Sequence, residues 1–85
     1  DLPTLKLQYL MELLRKRKNP TASLLEVGSG SGRILASIRA RDRRIQLTGL
    51  DISEEQTALA KRIHKGKRIA FVHGNGEART IQRWR

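Results

Sequence analysis

Leu24-Leu25-Glu26-Val27-Gly28-Ser29-Gly30-Ser31-Gly32 joins an apolar run, an acid and three glycines at alternate positions. The apolar run reads as a buried strand, and residues 33–41 read as the helix that follows it. Nineteen residues after Gly32 comes Asp51, within Gly49-Leu50-Asp51-Ile52-Ser53, a second strand ending in an acid. Glycine lets a backbone turn sharply and lets a ligand come close to it. A carboxylate at the end of the neighbouring strand can accept hydrogen bonds from ribose hydroxyls. The pairing predicts a nucleoside-containing ligand at the tips of two parallel strands.

Leu2, Leu5, Tyr9, Leu10, Leu13 and Leu14 recur at three- and four-residue steps. They predict an amphipathic helix over 4–18, stopped by Asn19-Pro20. Ser23 to Val27 is the first strand, and Glu26 is anomalous in it. A buried acid needs a partner, for which a ligand amine or backbone amides would serve. The second helix runs from Gly32 to Arg41 with Ile34, Leu35 and Ile38 inward. In the second strand, 45–50, Ile45 and Leu47 face one way and Gln46 and Thr48 the other. Ser53-Glu54-Glu55-Gln56 is a capping box. Its helix carries Ala58, Leu59 and Ile63 inward and stops at Gly66. Lys67 to Val72 is a third strand, followed by a Gly74-Asn75-Gly76 turn and a polar tail. The order helix–strand, three times over, predicts a parallel three-stranded α/β sheet with right-handed crossovers.

The 85 residues make one domain at most, 1–85. A chain this short buries only about 60–65% of its unfolded surface. It has no cysteine to brace it. His64 and His73 suit no common zinc spacing. No apolar run approaches the ~20 residues of a membrane span, and a soluble, cytoplasmic protein is the expectation. Eighteen Lys and Arg against eight Asp and Glu give a net charge of +10, which attracts polyanions, nucleic acid among them. The cations cluster at helix C-termini: Arg15–Lys18, then Arg39, Arg41, Arg43 and Arg44, then Lys61, Arg62, Lys65 and Lys67. There they complement helix dipoles, so solvated helix ends account for much of the pattern.

Gly28-Ser29-Gly30-Ser31-Gly32 is G-x-G-x-G. The nicotinamide-type fingerprint is G-x-G-x-x-G, and its third glycine position holds Arg33 here. A phosphate P-loop needs a Lys-Ser or Lys-Thr pair that does not follow. Taken together, Leu24–Leu35, Gly49–Ser53 and Phe71–Ala78 (FVHGNGEA) resemble the first three motifs of the class I S-adenosylmethionine-dependent methyltransferases. The resemblance covers roughly 4–78. It implies a three-layer Rossmann-like methyltransferase fold truncated to about three parallel strands with alternating helices, and S-adenosylmethionine as cofactor.

The resemblance also implies roles. Glu26 would lie near the methionine amino group, and Gly28, Ser29, Gly30 and Gly32 would form the floor under methionine and ribose. Asp51 would accept from the ribose hydroxyls. Ile52 would pack on an adenine face. Asn75 stands where the family usually has an Asp, and could still accept from the adenine amine. Each residue has a plainer reading. Glu26 is then a satisfied structural acid, Asp51 a turn cap, Ile52 core, Asn75 a turn residue, and His73 a bystander rather than a base.

A complete domain of this family is roughly twice as long or more. The fourth strand, the second helix layer and the loops that handle the methyl acceptor fall outside this sequence. A half-domain is expected, whether fragment, truncated gene product or deliberately minimal form, and one not catalytically complete alone. Its first strand would be a bare apolar edge, which pairs with something: a homodimer partner or the missing C-terminal half. The alternative reading is a small basic nucleotide- or RNA-binding module, or a fold fragment without activity.

Overall fold

In the computed structural model, residues 2–19 and 22–74 are described, the first three by their backbone alone. The elements are α1 (Leu2–Lys16), β1 (Ser23–Val27), α2 (Arg33–Arg41), β2 (Gln46–Asp51), α3 (Glu54–Ile63) and β3 (Ile69–His73). The three strands form one parallel sheet in the order β1-β2-β3, the expected topology.

Register sorts the side chains onto two faces. Leu24, Leu47 and Ile69 are neighbours in one row, and Glu26, Gly49 and Phe71 two residues further along in another. Strand side chains alternate, so both rows lie on the same face. That face carries the core. Leu35 and Ile38 of α2, Ala60 of α3, Ile45, Leu47 and Phe71 form one buried cluster. Each large member contributes about 1.5–3 kcal/mol by leaving water. The described helices thus form a single layer on one face.

The opposite face presents Leu25, Thr48 and Ala70, then Val27, Leu50 and Val72. Thr48 and Leu50 are buried on it, whereas Val27 is 57% and Val72 41% exposed. Thr48 lies on the face opposite Leu47, as expected, yet it is buried. As the middle residue of the central strand it is covered from both sides, which polarity alone does not reveal.

Two helix faces and one cation also differ from expectation. On α1 the residues packed against the core are Leu7, Leu10, Met11 and Leu14, while Leu5, Tyr9 and Leu13 are exposed. The helix ends at Lys16, where the Arg17 guanidinium donates to the carbonyls of Leu14 and Asn19. On α3 the inward residues are Thr57, Ala60 and His64, with Ala58 and Ile63 exposed. Apolarity misplaced this face because two inward residues are polar and satisfied: the Thr57 hydroxyl donates to the Ser53 carbonyl at 2.8 Å, and His64 to that of Ser31 at 2.9 Å. Arg39 was grouped with solvated helix ends, yet it is buried. Its guanidinium donates to the carbonyls of Asp42, Lys67 and Arg68 at 2.9–3.1 Å. Burial, and secondarily the nearby Arg68 charge, push its pKa down, against a smaller pull from Asp42.

Candidate functional site

The C-terminal ends of β1 and β2 lie side by side, and the glycine loop is laced to β2. The N–H groups of Gly28 and Ser29 both donate to the Leu50 carbonyl, at 2.6 and 3.2 Å. Gly30 N–H donates to Asp51 Oδ2 at 2.7 Å, and Gly32 N–H to the Ser29 carbonyl at 3.0 Å. Gly28, Gly30 and Gly32 all have positive φ, 76°, 57° and 84°, the left-handed region that other residues enter at a cost.

Two glycines are required by space. A Cβ on Gly32 would stand 2.6 Å from the Phe71 ring and 3.1 Å from His64. A Cβ on Gly49 would stand 2.5 Å from Ser29 Oγ and 2.7 Å from its Cβ. Gly49 therefore lets the loop settle onto β2. Sequence reading placed it within a motif without seeing this role. Nothing lies within 4 Å of a Cβ built on Gly28, so the loop is open there.

Asp51 is partly buried at the end of β2. Oδ2 holds Gly30, and Oδ1 accepts from Ser53 N–H at 2.8 Å. It therefore does cap the following turn, as the plainer reading held. Each carboxylate oxygen can accept more than one bond, so capacity for a ligand remains. The capping box is realised on one side, the Ser53 hydroxyl oxygen accepting from Gln56 N–H at 3.1 Å. Ile52 is 75% exposed, so it is not core, and His73 donates to its carbonyl at 2.9 Å. Asn75 lies outside the described residues.

Glu26 is 7% exposed, two residues before Gly28 on the helix-covered face. Its Oε2 pairs with Lys6 Nζ of α1 at 2.8 Å. Its Oε1 is buried and has no hydrogen-bond partner among the described residues. A buried carboxylate oxygen left unpaired is costly, and a ligand ammonium would relieve that cost. Lys6 was not singled out in the sequence, nor was His64 as a support. His64 sits beneath the loop, accepting from Lys67 Nζ at 3.1 Å while it holds Ser31.

Among the described residues no three or more His, Cys, Asp and Glu are grouped to hold a metal. No helix there is long and apolar enough to cross a membrane.

Residues 24–83 match the profile of a family described as "Methyltransferase domain". An uncharacterized protein of Escherichia coli (strain K12), YjhP, is 40% identical over 63 residues, which cover 69% of this chain and 25% of that protein. An uncharacterized methyltransferase of Bacillus subtilis (strain 168), YdaC, is 36% identical over 55 residues, 65% of this chain and 30% of its own length. The chain thus spans between a quarter and a third of these relatives. The crystal structure of YjhP superimposes with a TM-score of 0.61 at 34% identity, covering 81% of this chain and 29% of that one. The plantazolicin methyltransferase BamL, solved in complex with a triazolic desmethylPZN analog and SAH, reaches a TM-score of 0.70 at 22% identity over 98% of this chain and 30% of its own, a likeness of fold. With strand order, glycine loop and strand-end acid all in place, the match over most of its length shows that the chain belongs to the methyltransferase domain family.

Proposed function

We propose that residues 1–85 form one partial domain that binds S-adenosylmethionine as the cofactor half of a methyltransferase. The observation that carries this reading is the bond from Gly30 N–H to Asp51 Oδ2, which joins the glycine loop to the strand-end acid. Asp51 would hold the ribose hydroxyls, and Gly28, Ser29, Gly30 and Gly32 would lie under methionine and ribose. Glu26 would face the ammonium. Ile52 would cover the adenine, with Asn75 at its amine. When bound, S-adenosylmethionine supplies an activated methyl group on a sulfonium. The chain's own task is to bind and orient it, and positioning contributes strongly to such a transfer.

The loop's amides argue against the alternative, a nucleotide- or RNA-binding module. Phosphate loops aim backbone N–H groups at the anion. Here the N–H groups of Gly28, Ser29, Gly30 and Gly32 are engaged internally. The ligand favoured is one with a nucleoside and no phosphate. The exposed Val27 and Val72 support cover of that sheet face by a second copy or by the remainder of a longer fold.

Calorimetry with S-adenosylhomocysteine, ATP and a short RNA tests the reading. Binding of S-adenosylhomocysteine in preference to the other two is expected. No binding at millimolar ligand, or tighter binding of ATP or RNA, would overturn it.

A further inference from the structure

We infer that Arg44 and Arg68 form a binding site for a phosphate group, in a cleft where β2 and β3 begin. The cleft lies at the opposite end of the strands from the glycine loop, and the inference is independent of the cofactor reading.

The cleft encloses about 630 Å³ and is lined by Arg39, Arg44 and Arg68, with Gln46 and Thr48 among its other walls. Among the described residues no Asp or Glu lines it. This sets it apart from the α1 side of the molecule, where Arg15 pairs with Glu12 and Arg17 with Asp42. Asp42 stands two residues before Arg44, but its carboxylate is committed to Arg17 and to the amides of Arg44 and Ile45.

The cations are placed by the backbone around them. Arg39 is buried and spends three of its five donors on the carbonyls of Lys67, Asp42 and Arg68. It fixes the entry to β3 and adds its charge to the cleft. Arg68 has a left-handed backbone, φ 59°, which residues with a side chain seldom adopt. One of its guanidinium N–H groups donates to the Arg43 carbonyl at 3.0 Å. Arg44 and Arg68 are both exposed. Gln46 Oε1 accepts from Ser23 Oγ at 3.0 Å, which leaves its amide N–H groups as donors.

Like charges gathered without an acid repel one another, and the Arg68 charge adds to the burial that lowers the Arg39 pKa. An anion in the cleft relieves that repulsion. The guanidinium fork matches the oxygens of a phosphate, and its hydrogen bonds to them are charge-assisted. A carboxylate brings one negative charge and a phosphate up to two, so three arginines favour the phosphate.

The probe is inorganic phosphate, titrated by calorimetry well above its second ionisation, with sodium chloride holding the ionic strength constant. Roughly millimolar binding is expected from two charge-assisted contacts. Arg44→Gln and Arg68→Gln should each weaken it about tenfold. Arg44→Lys keeps the charge without the fork and should recover only part of the loss. Arg62→Gln removes the same charge from the exposed last turn of α3, outside the cleft, and should change binding by less than about twofold. Should Arg68→Gln fail to fold without its bond to Arg43, Arg44→Gln still decides. Glycerol 3-phosphate identifies the source. Tighter binding than inorganic phosphate assigns the cleft to the phosphoryl group of a larger ligand, and weaker binding assigns it to the free ion. No phosphate binding at tens of millimolar, unchanged binding in Arg44→Gln, or an equal loss in Arg62→Gln would overturn the site.

Discussion

Gly30 and Asp51 are joined by a backbone-to-carboxylate hydrogen bond of 2.7 Å, so the loop after β1 and the end of β2 form one unit. Asp51 also holds Ser53 N–H. One side chain therefore ties together the glycine loop and the start of α3.

Asp51→Ala is expected to weaken S-adenosylhomocysteine by about 1.5–3 kcal/mol, the range for hydrogen bonds to a charged group. It should also lower the thermal midpoint, because two backbone donors lose their acceptor. Calorimetry and thermal unfolding on the same sample separate the two effects. An unchanged affinity would remove Asp51 from the site.

Gly32 and Gly28 should respond differently to alanine. Gly28→Ala at φ 76° faces open space, so only the left-handed backbone costs, about 1–2 kcal/mol. Gly32→Ala carries that cost and also drives a methyl into the Phe71 ring, a further ~1–3 kcal/mol of overpacking. Urea unfolding should rank Gly32→Ala as clearly the less stable. Equal losses would mean that Phe71 moves aside freely.

Acid should loosen the α1–α2 contact through Asp42. Burial pushes its carboxyl pKa up. Hydrogen bonds from the Arg44 backbone, the Arg17 guanidinium and the Ile45 backbone, with the Arg17 charge, outweigh this and hold it below the usual value. A depressed folded pKa gives stability that is present above the unfolded value, near 3.9, and lost as pH falls through the folded one. Asp42→Asn should therefore be less stable than the parent at pH 7, and the gap should close on acidification below about pH 4. A gap that stays constant down to pH 2 would show that the charge of Asp42 contributes nothing.

Self-association should rise with salt. The exposed Val27 of β1 and Val72 of β3 are apolar positions on the sheet face that carries no described helix, while +10 per chain opposes contact. Screening weakens that repulsion. Sedimentation equilibrium at low and moderate salt is expected to show a dimer that tightens with salt. A monomer at about 100 μM in both conditions would exclude a dimer tighter than about that value.

The strand order and the glycine loop were legible because they rest on local signals: an apolar run, alternate glycines, and an acid at a strand end. Helix faces were less legible. Thr57 and His64 turn inward because Ser53 and Ser31 offer carbonyls to them, and no periodicity of apolar residues encodes that. Lys6 and Glu26 are twenty residues apart, so their pairing depends on how α1 packs. Arg39 looked like one more surface cation, and its burial is set by three carbonyls, two of them nearly thirty residues downstream.

The Arg39 arrangement also bears on how so small a chain holds itself together. Its guanidinium spans from the last turn of α2 to the entry of β3, closing a loop of 28 to 29 residues. A disulfide across such a loop would also restrict the unfolded chain. Here the link is made by hydrogen bonds to peptide carbonyls, which hold the folded chain alone, in a sequence without cysteine. The brace is therefore indifferent to thiols and to oxidants. It also re-forms at each refolding without an isomerase.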